Sequence, residues 1–169
     1  MIIRKEKESD VDAIFAVTAA AFENHPYSRQ PEPTEPFIIN ALRAAGALTV
    51  SLVAEDEGKV VGHVAFSPVT ISDGSAGWYG LGPVSVWPEC QRRGIGTALV
   101  NEGLGALKVL GARGCVLVGE PAFYQRFGFR SIPDLTMDHV PQENVLVLPF
   151  GENTARGVVA HHEGFWVTS

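Results

Sequence analysis

The stretch Gln91-Arg92-Arg93-Gly94-Ile95-Gly96-Thr97-Ala98-Leu99 joins an apolar strand pattern that closes at Trp87 to a helical pattern that runs to Leu110. Gly94 and Gly96 let the backbone turn so that the first amides of the helix, which have no acceptor within it, face one point. The helix dipole adds positive potential there, and Arg92 and Arg93 add mobile positive charge. The natural ligand of such a nest is a pyrophosphate. A dinucleotide fingerprint would need a third glycine where Leu99 stands, and a glycine turn directly after the strand, whereas Pro88-Glu89-Cys90-Gln91 intervenes. A Walker loop would need Gly-Lys-Ser/Thr, and the sequence has none. The alternative is a glycine turn that does no more than start a helix.

After this stretch, Ile95, Ala98, Leu99, Gly103, Ala106, Leu107 and Leu110 form one stripe at helical spacing. Gly111 and Gly114 mark the exit of that helix. Residues 115–118, Cys-Val-Leu-Val, read as a strand covered on both faces and parallel to the strand before the loop. Residues 121–127 suit a short helix with Pro at its permitted first position. Residues 145–148 and 157–161 are late strand candidates.

Before the loop, residues 2–4 read as a first strand, and Ser9 with Asp12 resembles a capping box that starts a helix ending near Phe22. Residues 24–36 carry four prolines and predict a long loop, either a functional lid or a linker. Phe37, Ile38, Ala41, Leu42 and Ala45 predict a second helix closed by Gly46. Residues 49–55 and 59–69 predict an antiparallel hairpin about Asp56-Glu57-Gly58. A third strand follows over residues 78–87, where Gly80, Gly82 and Pro83 predict a bulge or a close backbone approach. The expected fold is a mixed α/β sheet with helices on both faces, in one domain over residues 1–169.

At 169 residues with 46% hydrophobic and 19% charged side chains, the chain can bury a core without disulfides, a metal or a partner. A net charge of -6 argues against nucleic acid as a partner, because a phosphate-backbone binder needs clustered Lys and Arg. Cys90 and Cys115 fit neither a disulfide framework nor a zinc site. No apolar run has signal or membrane-spanning length. The expectation is a cytoplasmic protein with no metal and no membrane partner.

Gln91, Arg92, Arg93, Gly94, Ile95 and Gly96 match the Gln/Arg-x-x-Gly-x-Gly/Ala pyrophosphate loop of the GNAT superfamily, which the chain resembles. Phe123-Tyr124-Gln125-Arg126-Phe127-Gly128-Phe129 is similar to the family's later Tyr-x-x-x-Gly-Phe block, at the expected distance. Leu81-Gly82-Pro83 before the loop resembles a small bacterial branch of predicted acetyltransferases. The resemblance implies a GNAT-like fold whose strand before the loop splays from the next one, opening a slot for acetyl-CoA as acyl donor. It implies cofactor contacts at Val84, Val86, Gln91, Arg92, Arg93, Gly94, Ile95, Gly96, Thr97, Phe123 and Arg126, although the rings of Phe123, Phe127 and Phe129 read as core. It leaves open a homodimer paired through late strands.

The implied reaction is N-acetyl transfer to a primary amine of a small molecule or peptide, by direct attack in a ternary complex. The Val86 amide is the expected donor to the thioester oxygen. Tyr124 resembles the family's proton donor, and a phenol of ordinary pKa stays protonated at neutral pH. Glu120, after the apolar strand, is the expected proton acceptor if burial raises its pKa, and otherwise faces a helix N-terminus. His63 is either a second acceptor or a satisfied sheet histidine. His25, His161 and His162 reach a substrate only if their segments fold over the slot. The rival reading is a catalytically silent acyl-CoA-binding sensor or interaction module.

Overall fold

The computed structural model describes residues 1–23 and 32–169. The expectation for His25, and for the loop over residues 24–31, therefore lies outside the described residues.

Strand β1 (Ile2–Lys5) leads through a single 3-10 turn into α1 (Val11–Phe22). The capping box expected at Ser9 and Asp12 lies instead at Lys7 and Asp10: the Asp10 carboxylate accepts the Lys7 amide at 2.6 Å while also gripping Arg4. Helix α2 (Glu35–Ala44) begins one residue before Pro36, so this proline belongs to the first helical turn, not to the loop. Gly46, with φ of +68°, closes it as expected.

Strands β2 (Val50–Asp56) and β3 (Lys59–Ile71) form the anticipated hairpin, with Glu57 and Gly58 at positive φ in its two-residue turn. Strand β4 (Trp78–Val86) pairs antiparallel with β3. Their register slips by one residue: Val64 faces Val84 but Phe66 faces Leu81, which leaves Gly82 and Pro83 as the bulge. Helix α3 (Ile95–Val109) crosses over to β5 (Gly114–Val118), which lies parallel to β4. The chain continues through the short α4 (Pro121–Tyr124), β6 (Leu135–Thr136), β7 (Val145–Pro149) and β8 (Gly157–His161). The two-residue β6 was not foreseen, being too short to show a period.

The main sheet runs β1-β2-β3-β4-β5-β7, while β8 pairs with the far end of β3 and with β6. On one face α3 buries Ile95, Leu99, Val100, Leu104 and Leu107 against Val64, Phe66, Cys115 and Leu117. The expected stripe is thus rotated: Val100 and Leu104 are inside and Leu110 is 58% exposed, because the helix ends at the sheet's margin. The other face carries α1 and α2 over Val53, and a second core about Trp78, Val116, Val145 and Val159. Gly103 faces the Phe66 ring so closely that any Cβ would collide with it.

Gly103→Ala should therefore lower stability by about 1–3 kcal/mol, since overpacking outweighs the roughly 1 kcal/mol that alanine gains in a helix. A urea titration with a lower midpoint and unchanged slope is the expected result.

Candidate functional site

The glycine-opened turn lies where β4 ends. Arg92 and Gly94 both take positive φ, +65° and +82°, and Gly94 is the N-cap of α3. The first helical bond runs from Ala98 N to Gly94 O at 3.0 Å, so the amides of Ile95, Gly96 and Thr97 precede it and are free to serve an outside acceptor. No acidic residue stands in this first turn. Arg92 and Arg93 are exposed, and among the described residues neither forms an ion pair. A Cβ on Gly94 would meet nothing within 4 Å, so its constraint is conformational. A Cβ on Gly96 would sit 3.8 Å from Val86 and 3.9 Å from Phe123, so this glycine keeps open the gap between β4 and α4.

From that gap a slot runs back between β4 and β5. The two strands pair at Trp78↔Gly114, Tyr79↔Cys115 and Gly80↔Val116, and no further. Each is held by its outer neighbour instead: β4 by β3 as far as Val86, and β5 by β7 along its whole length. The Trp87 amide donates to Val61 O at 2.9 Å, which sets the alternation of the antiparallel ladder. His63 and Ser85 are then a hydrogen-bonded pair, and the N–H and C=O of Val84 and Val86 point away from β3, into the slot. Gln91 already uses one of these groups, its Nε2 donating to Val86 O at 3.2 Å.

The opposite wall is built on α4. Phe123 stacks edge-on against Tyr124 with centroids 4.9 Å apart, and Tyr124 meets Phe129 at 6.0 Å. Arg126 lies over the Phe123 ring at 4.5 Å, donates to Phe123 O at 2.8 Å, and reaches Thr97 Oγ1 at 3.4 Å. It therefore ties α4 to the first turn of α3. Tyr124 is half-buried, and its phenol is pushed up to about 12, chiefly by burial and then by Cys115. Glu120 is the N-cap of α4: its backbone carbonyl accepts from Phe123 and Tyr124, while its carboxylate is exposed and makes no cap bond. Neither the burial nor the capping contact anticipated for that carboxylate is present. Among the described residues no group of three or more His, Cys, Asp or Glu side chains could hold a metal ion.

On the sheet face opposite α3, polar groups are buried that the alternation of β3 and β4 alone did not reveal. His63 Nε2 lies 2.7 Å from Ser51 Oγ, and Ser51 also bonds Glu6, whose carboxylate is held by Arg43 at 2.8 and 2.9 Å. His63 is thus satisfied at one nitrogen only. Among the described residues, its Nδ1, Ser67 Oγ, Ser85 Oγ and His161 Nδ1 are buried without a hydrogen-bond partner. Ser67 and Ser85 could have been noticed as hydroxyls at inward positions of otherwise apolar strands. His162 instead caps the C-terminal turn, its Nδ1 accepting from Gly164 N at 3.0 Å.

Comparison with known proteins agrees with this geometry. A family model described as an acetyltransferase (GNAT) domain matches residues 2–132. The chain is 38% identical over 130 residues to an uncharacterized N-acetyltransferase, YhbS, of Escherichia coli K12, covering 76% of this chain and 73% of that one. A GNAT family acetyltransferase of Brucella melitensis, crystallised in complex with acetyl-CoA, superposes with a TM-score of 0.85 at 48% identity, covering 97% of both chains. The crystal structure of E. coli YhbS in complex with CoA superposes with a TM-score of 0.86 at 33% identity, covering 97% of this chain and 91% of that one.

Burial lowers both His63 and His161 to about 4 from an ordinary 6.5. Between these pH values the unfolded chain binds more protons than the folded one, so stability present above pH 6.5 is lost as pH falls toward 4. Each imidazole contributes a slope of up to about 1.4 kcal/mol per pH unit in that window. Urea titrations across it should show falling stability, and His63→Gln should remove about one proton from the slope.

Proposed function

The chain belongs to the GNAT acetyltransferase family, and from that membership we propose that it moves an acetyl group from acetyl-CoA to a primary amine of a small molecule or peptide, by direct attack within a ternary complex. The observation that carries this reading is the free edge of β4, whose Val84 and Val86 groups lead from the vertex at Gly80 to the unpaired amides at the start of α3. An extended pantetheine arm has the hydrogen-bonding pattern of a strand and completes that edge. Its pyrophosphate meets the amides of Ile95, Gly96 and Thr97, with Gln91, Arg92 and Arg93 around it. Phe123 and Arg126 close the outer wall.

The chemistry follows from what surrounds the thioester. The amides of Val86 and, one pleat deeper, Val84 are the two donors available to the oxygen that gains negative charge as the amine attacks. Tyr124 gives its proton to the departing CoA sulfur. A phenol pushed up to about 12 remains fully protonated at neutral pH, so its O–H is in place to donate as the C–S bond breaks. Glu120, the N-cap of α4 with an exposed carboxylate, is one candidate proton acceptor for the amine. The acceptor amine approaches from the sheet face opposite α3. A silent acyl-CoA sensor would need the same slot but no Tyr124.

Tyr124→Phe should lower kcat by on the order of 10²-fold or more while leaving acetyl-CoA affinity within about twofold, because the donor acts in the transition state. Thiol release followed with DTNB over an amine panel checks the rate, and calorimetry checks the affinity. Tight acetyl-CoA binding without thiol release would favour the sensor. Gly94→Val should abolish saturable binding of both CoA and acetyl-CoA, since a β-branched residue cannot hold the positive φ that gathers the amides. Retained affinity would remove the glycine turn from the binding site.

A further inference from the structure

We propose that His161 is the residue that takes the proton from the attacking amine, acting from the sheet face opposite α3 at the point where β4 and β5 part. This rests on the acetyltransferase reading above. The reading requires a proton acceptor, and the vertex of the slot supplies a neutral imidazole.

Three observations place it there. Strand β8 pairs with the far end of β3, His161 opposite Val69, which brings the C-terminal strand alongside the vertex. Gly80, the last residue of β4 to pair with β5, leaves room for the imidazole: a Cβ at that position would stand 3.0 Å from His161 Nδ1 and 3.0 Å from Val69. The ring is fixed by stacking on Phe165, with centroids 4.2 Å apart and planes inclined by 12°. Phe165 in turn packs with Leu42 and Ala47 beneath α2. The imidazole is therefore held from three sides, by a strand, a missing side chain and an aromatic plate.

Among the described residues, His161 Nδ1 is buried without a hydrogen-bond partner, and so is Ser67 Oγ, on the residue that pairs directly with Gly80. Two unsatisfied groups flanking one glycine call for a polar guest, because a buried polar atom left unpaired costs about 1–3 kcal/mol. The guest suited to this corner is the amine, received by Nδ1 and Ser67 Oγ directly or through one water. An acyl arm that enters at Gly94 and passes Val86 and Val84 delivers its thioester toward the same vertex.

In the proposed step the amine nitrogen forms a bond to the thioester carbon while its proton passes to His161 Nδ1. The tetrahedral adduct then collapses by breaking the C–S bond, and the sulfur takes the Tyr124 proton. The imidazolium, unfavourable where it is buried, returns its proton to solvent when product leaves, and the Tyr124 phenolate regains one from solvent, which restores the enzyme. Atoms and charge balance with no further reactant.

Hydroxylamine, compact and neutral, serves as the probe amine, with acetohydroxamate and free CoA as the measured products. The native chain should accelerate its acetylation. H161A and H161Q should each lose on the order of 10²-fold in kcat while binding acetyl-CoA as the native chain does by calorimetry. Added imidazole should restore H161A and not H161Q, whose amide fills the space; a packing role predicts no such rescue. In H161C, a thiol in the ring's place should attack bound acetyl-CoA, forming a new thioester at position 161 and releasing CoA, as read by peptide mass mapping with Cys90 and Cys115 as internal controls. No acceleration by the native chain, variant rates within twofold of it, absence of rescue, or an unacetylated H161C that still binds acetyl-CoA overturns the proposal. Loss of acetyl-CoA binding by the native chain would instead overturn the family-based reading.

Discussion

Everything in this molecule turns on the edge of β4 that β5 leaves unpaired beyond Gly80↔Val116. An open strand edge is a cost and an aggregation hazard, since its N–H and C=O groups seek partners. It persists here because neither strand is free to close on the other. Strand β4 is committed to β3 as far as Val86, and its bulge at Gly82 and Pro83 turns it away from β5. Strand β5 is committed to β7 from Gly114 to Val118. The slot is the geometric remainder of two complete pairings.

That edge divides the sheet into faces of different character. The α3 face is a continuous apolar layer, with Gly62 and Gly103 keeping β3, Phe66 and the helix in close contact. It sets the position of the helix N-terminus relative to the strand end. The opposite face trades apolar packing for His63, Ser67, Ser85 and His161. The Arg43–Glu6–Ser51–His63 chain ties α2, the segment after β1, β2 and β3 into one polar unit on that face. Of the acidic residues near the N-terminus, Glu6 is engaged by Arg43 and Asp10 by Arg4.

Much of the fold was legible because the local signals agreed with the tertiary outcome. Asp56-Glu57-Gly58 gave the hairpin since a two-residue turn needs positive φ at adjacent positions. The strand at residues 115–118 announced its burial on both faces through an uninterrupted apolar run, which holds for residues 115–117 but not for Val118, 47% exposed at the strand's end. Errors arose where competing signals stood a turn apart. The capping box forms at Lys7 and Asp10 rather than at Ser9 and Asp12 because Arg4 also holds the Asp10 carboxylate, and that contact joins residues on separate elements. Leu110 looked like core by spacing but lies where the helix runs past the sheet.

What the sequence determined by itself was the glycine-opened start of α3: Gly94, Gly96 and the basic pair before them lie within one short stretch, and the physics of a helix start is local. Tyr124 and Phe129 were likewise within reach because their motif is short. Only the tertiary structure decided which backbone groups of β4 face the slot, and which side chains gather at its vertex. Those facts depend on strand register and on β8 returning to β3 across more than half the chain. The pleat alternation that aims Val84 and Val86 comes from the β3 ladder, and the pairing of His161 with Val69 from a long-range contact. No periodicity in one segment can encode the place where two distant segments meet.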